Sequence, residues 1–97
     1  MGTDTLNLKF KVSLDLLTNT NVFPTARILW IVLNTFCEEG QRRCSPTLAQ
    51  IAERSKIMLT NVPKLIRNLE ENGYLKRIGK DGLTNIYELY SKSISTK

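Results

Sequence analysis

The chain has 97 residues, 41% of them hydrophobic, with 14 Lys and Arg against nine Asp and Glu and a formal net charge of +5. That is enough for one domain around one core, and no run of eighteen apolar residues is present to cross a membrane. The start, MGTDTLNLKF, has no basic-then-apolar leader, and the absence of histidine removes Cys/His zinc sites and the commonest general base. The charge is uneven: residues 1 to 40 sum to −1 and residues 41 to 97 to +6. A polyanionic partner is expected for the second part.

Residues 6 to 12, LNLKFKV, alternate strictly, with Leu6, Leu8, Phe10 and Val12 on one side and Asn7, Lys9 and Lys11 on the other. This is the pattern of a half-buried strand. Residues 13 to 22 read as a turn or a single helical turn followed by a polar loop. Residues 24 to 39 form a long helix, opened by Pro24 and closed by Gly40. Its stripe is Leu29, Val32, Leu33 and Phe36, broadened by Ile28, Trp30 and Ile31. Trp30 is expected beneath the N-terminal strand, with a dimer contact as the alternative. Cys37 falls on the buried stripe and Cys44 just before the next helix. Two thiols alone cannot close a tetrahedral metal site, and both are expected to stay reduced.

Residues 45 to 73 hold two helices joined by a turn. Ser45 is the expected N-cap of the first and Pro46 its first residue, with Leu48, Ile51 and Ala52 on one face and an end near Ser55. In the second, Val62, Leu65, Ile66 and Leu69 recur at helical spacing, and Gly73 closes it. Its other face, Asn61, Lys64, Arg67 and Asn68, is polar and cationic, without an acid until Glu70. A short helix, a turn and a second helix with an open cationic face is the layout of a helix-turn-helix, whose second helix enters the DNA major groove.

After Gly73 the period changes to that of strands. YLKRIG and LTNIYELY flank Asp81-Gly82, a hairpin signal because both residues tolerate positive φ. Leu75, Ile78, Ile86, Tyr87 and Leu89 are expected to pack on the helices, leaving Lys76, Arg77 and Lys80 near the tip. Together these elements make a mainly α fold with a small β-sheet (α+β). The arrangement is a winged helix-turn-helix of three helices, an N-terminal strand and a C-terminal hairpin wing. One domain covers residues 1 to 97, with 45 to 73 as the helix-turn-helix, 74 to 90 as the wing, and ends at 1 to 5 and 91 to 97 that fray.

FPTARILWIVLNTF, SPTLAQIAERSKIMLTNVPKLIRNLEENGYL and GLTNIYEL together resemble the winged helix-turn-helix modules of phage and plasmid replication proteins. They are similar, more loosely, to bacterial winged-helix transcription regulators. The carrying pieces are L-A-x-I-A, then V-x-x-x-I-x-x-L-E-x-x-G-Y-L, then T-N-x-Y-x-L, within a likeness that spans roughly residues 12 to 90. The resemblance implies that the helix from Thr60 reads DNA and that the Lys76 to Lys80 hairpin touches backbone or minor groove. Such modules usually carry Gly where Lys56 stands and Ser or Thr where Met58 stands. Pro63 is tolerated only in a first helical turn, so the helix is expected to begin at Thr60 or Asn61, with one of them as N-cap. Met58 and Leu59 are then exposed on a lengthened loop.

Thr60, Asn61, Lys64 and Asn68 are the candidate base-reading residues, because Asn pairs with adenine and Lys with guanine. Thr47, Lys56, Arg67, Arg77 and Lys80 are the candidate phosphate contacts, Thr47 by its place at a helix N-terminus. Arg42 and Arg43 are expected only to solvate a loop, Asn85 to brace the hairpin by hydrogen bonding, and Tyr87 to join the core. No aromatic interleaves the cations as single-strand binding requires, so duplex DNA is the expected partner. There is no Gly-rich phosphate loop and no nucleophile with a partner, and Glu70 and Glu71 point to different faces, so an enzyme is not expected. Nor is a cofactor or metal.

These features point to sequence-specific binding of double-stranded DNA in transcription regulation or replication initiation of a mobile element, in the cytoplasm with the nucleoid. One copy neutralises few phosphates, so a homodimer or a larger DNA-bound assembly is expected, with the N-terminal strand and Trp30 as contact surfaces. The alternative is a protein–protein interaction and assembly module built on exposed Met58 and Leu59.

Overall fold

In a computed structural model, residues 12–38 and 40–91 are described. Apart from Val12, which packs half-buried on the core, the strand expected over residues 6 to 12 lies outside them. So do the frayed ends, save residue 91.

Helix α1, Leu14–Thr18, is one turn capped by Ser13, whose hydroxyl accepts the Asp15 N–H. Helix α2, Pro24–Asn34, starts at Pro24 as expected but ends before Gly40. Asn34 donates to the Trp30 carbonyl and Thr35 to that of Val32. Phe36 and Cys37 then close i to i−3 turns, so side chains and tight turns satisfy the last carbonyls. The buried stripe is Ala26, Leu29, Trp30 and Leu33, not the Leu29, Val32, Leu33, Phe36 set, and Ile28 is exposed.

Strand β1, Arg43–Cys44, corrects the expectation of a solvated loop: Arg43 pairs with Glu88 and Cys44 with Tyr87. Helix α3, Leu48–Ser55, ends where expected but begins later. Its cap is Thr47, not Ser45, because Thr47 and Gln50 form a reciprocal capping box at 3.0 and 2.8 Å. Ile51 is buried, Ala52 partly so, and Leu48 is 38% exposed.

Lys56 ends α3 with φ +63, a left-handed position that favours Gly, and its N–H reaches the Ala52 carbonyl at 2.8 Å. A side chain there is strained. Lys56→Gly is therefore expected to stabilise the fold by about 0.5–1 kcal/mol, after allowing for the freer unfolded chain. Thermal denaturation should show Tm rising by a few degrees, and an unchanged or lower Tm would contradict the left-handed cap.

A 3-10 turn, Leu59–Asn61, leads into helix α4, Val62–Glu71, which places Pro63 in the first turn. Asn61 occupies the N-cap position but makes no side-chain cap, because its backbone is already helical. Val62, Leu65, Ile66 and Leu69 are buried. Gly73 has φ +84, its N–H meets the Glu70 carbonyl, and that of Tyr74 meets the Leu69 carbonyl. This is a Schellman cap.

Strands β2, Leu75–Asp81, and β3, Thr84–Leu89, form the expected hairpin, and the antiparallel sheet has order β1-β3-β2. Asp81 pairs with Thr84, so the two-residue loop is Gly82-Leu83 rather than Asp81-Gly82, and only Gly82 takes positive φ. A bulge between Arg77 and Gly79 leaves Ile78 unpaired and partly exposed. Leu75, Tyr87 and Leu89 face the core, Ile86 only partly.

The core lies between α2, α3, α4 and the inner sheet face. At its centre Trp30, 2% exposed, donates Nε1–H to the Tyr74 carbonyl at 3.1 Å, and that carbonyl also accepts the Tyr90 N–H. Trp30 therefore does not supply the surface contact raised as an alternative. The described residues thus form an α+β fold of four helices and a small three-stranded antiparallel sheet.

Candidate nucleic-acid interface

The 3-10 turn and the first two turns of α4 bring Thr60, Asn61, Lys64 and Arg67 to one exposed surface. Neither Lys64 nor Arg67 has an ion pair among the described residues. Lys64 Nζ lies 5.8 Å from the centroid of the Phe23 ring. The first acid along the helix, Glu70, is turned toward the sheet, where its carboxylate meets Arg77 at 3.3 Å.

Asn68 does not belong to this surface. Helical spacing places it beside Asn61 and Lys64, but the α1–α2 connection crosses α4 at this level and covers it. Asn68 is 8% exposed, its Oδ1 accepts the Phe23 N–H at 2.9 Å, and its Nδ2 donates to the Asn21 carbonyl at 3.0 Å. Covered and held at both ends, the side chain is not presented to a base, and Asn68 does not take the base-reading role expected of it.

The phosphate candidates fall into different environments. Thr47 is exposed at the start of α3, but its hydroxyl accepts the Gln50 N–H and its own N–H is taken by Gln50. Only its hydroxyl proton remains to donate. Lys56 lies 3.8 Å from Glu53 in a fully solvated pair, which holds it weakly. Arg77 is held by Glu70, whereas Lys76 and Lys80 on the same strand are exposed and have no ion pair among the described residues. Among these candidates, Arg67 and Lys80 are the freest cations.

Three arginines have roles that spacing did not reveal. Arg54 stacks 3.9 Å over Phe36 and donates to the Thr35 carbonyl and hydroxyl, fixing α3 to the end of α2. Arg43 lies across the sheet from Glu88 at 3.3 Å, and Arg42 stands 6.0 Å over Tyr90. Both follow from β1, which is too short to alternate visibly. The Tyr90 hydroxyl donates to Glu88 at 2.6 Å. This bond, then the Arg43 guanidinium, holds the Glu88 carboxyl below its usual range, and the same bond pushes the Tyr90 hydroxyl up. The hairpin is braced by Thr84, whose hydroxyl donates to the Asp81 carbonyl, while Asn85 has no side-chain hydrogen bond among the described residues.

Among the described residues no three His, Cys, Asp or Glu side chains gather to hold a metal, and no helix is long and apolar enough to cross a membrane. Comparisons with protein-family models, with curated proteins and with solved structures find no match for this chain.

Proposed function

We propose that this protein binds duplex DNA sequence-specifically as a winged helix-turn-helix, in transcription regulation or replication initiation of a mobile element. Helix α4 enters the major groove and the β2–β3 hairpin lies along the backbone as the wing. The observation that carries this reading is the surface of Thr60, Asn61, Lys64 and Arg67: two cations without an ion pair among the described residues, with the exposed Glu71 at the end of the helix, one turn beyond Arg67, as the acid on that face. The helix order and the β1-β3-β2 sheet support the winged arrangement. Two copies on one site, as a homodimer or within a larger assembly, raise an affinity that a single small footprint leaves modest.

Selection from random duplexes followed by three substitutions tests it. Asn61→Ala and Lys64→Ala should flatten sequence preference, each by about 1–3 kcal/mol at its base pair. Lys80→Ala should weaken all sequences alike. Equal losses on every sequence for all three variants would overturn the base-reading roles.

One observation favours a second reading. Met58 is 70% and Leu59 50% exposed, at the turn that leads into α4. An assembly module that docks a protein through this turn would use both.

A further inference from the structure

Beside the exposed face of α4 lies a half-open surface cavity of about 310 Å³, most of whose lining residues are exposed. Phe23 and Pro24 at the start of α2, Ile57 before the 3-10 turn and Leu65 of α4 form its apolar walls. Asn61 and Lys64 supply polar groups to it, and none of its lining residues is acidic. Phe23, 45% exposed, presents an aromatic ring there. We propose that this cavity binds a small carboxylate with an apolar body, and that the ligand competes with DNA for Lys64.

The chemistry follows from the lining. A pocket at the small end of the usual range, apolar with a few convergent polar groups, fits a compact organic ligand. Its volume suits one aromatic ring on a short chain and not a dinucleotide. The ligand body removes Phe23, Pro24 and Ile57 surface from water, and an aromatic ring gains further against Phe23. Lys64 has no ion pair among the described residues, so its exposed ammonium is available to one negative charge. A carboxylate meets that charge, and the Asn61 amide can donate to its second oxygen.

The competition rests on the DNA reading above, because Asn61 and Lys64 are also its base-reading residues. A bound carboxylate neutralises Lys64 and covers Asn61, so ligand and DNA exclude each other and each weakens the other's apparent affinity.

The test uses 4-phenylbutyrate as probe, titrated into the isotopically labelled full chain with amide shifts as the readout. Saturable shifts are expected at Thr25, Ile57, Asn61 and Lys64, and none at Lys80. The neutral 4-phenylbutan-1-ol should bind about tenfold more weakly, the factor that one charge-assisted hydrogen bond supplies. Lys64→Gln should reduce the carboxylate to the affinity of the alcohol, and Lys80→Gln should not. Absence of localised shifts, or equal binding of acid and alcohol to the native protein, would overturn the site. In a duplex-binding assay the probe should weaken DNA. If the probe binds and DNA binds but neither affects the other, the competition is overturned. If the probe binds a protein that binds no duplex, the site stands and the DNA reading falls.

Discussion

Asn68→Ala is expected to destabilise the protein by about 1–3 kcal/mol, because it removes two part-buried hydrogen bonds to the backbone at once. The Phe23 N–H loses its 2.9 Å acceptor and the Asn21 carbonyl its 3.0 Å donor. Phe23 is the N-cap residue of α2 and has no side-chain cap of its own, so Asn68 also fixes where that helix begins. Asn72 substitutes for it only in part: its amide is a longer donor to the Asn21 carbonyl, at 3.4 Å, and also donates to the carbonyl of Asn68. Asn68→Asp separates the two bonds, since a carboxylate still accepts from Phe23 but cannot donate to Asn21. Chemical denaturation should place Asp between the native protein and Ala. An Asn68→Ala protein of native stability would return Asn68 to the open face.

Trp30→Ala should cost more, about 3–5 kcal/mol, as truncations of large buried aromatics do. The indole fills the centre of the core, and its N–H is one of two donors to the Tyr74 carbonyl. Trp30→Phe keeps much of the volume and loses the hydrogen bond, so it should fall between, at about 1–2 kcal/mol. Tm for Trp30→Ala should drop by more than about 12 °C in a domain of this size. A variant that keeps its Tm and changes only its association in sedimentation would show Trp30 to be an interface residue instead.

Long-period features were legible in the sequence and short ones were not. Val62, Leu65, Ile66 and Leu69 at helical spacing, with Gly73 behind them, specified α4 and its cap, because one buried face and one left-handed residue leave little choice. Pro63 correctly confined the helix start. The hairpin was visible from the change of period. By contrast, β1 has two residues and no pattern, and its existence depends on β3, more than forty positions later. The start of α3 moved from Ser45 to Thr47 because Gln50 completes a capping box with Thr47. Asn68 was misread for a tertiary reason: helical geometry sets its angle, but a loop from 45 residues earlier covers it. The open part of the surface, from Thr60 to Arg67, lies where no other described segment crosses.

Binding of a random-sequence duplex across a salt series tests the central claim most directly. The protein should bind at low salt and lose about a hundredfold in affinity between roughly 50 and 200 mM, as expected for about four neutralised phosphates. Lys64→Glu should lower affinity further at every salt concentration. A folded protein that retains no duplex at low salt, or one whose affinity is indifferent to salt and to Lys64→Glu, would contradict a DNA-binding α4.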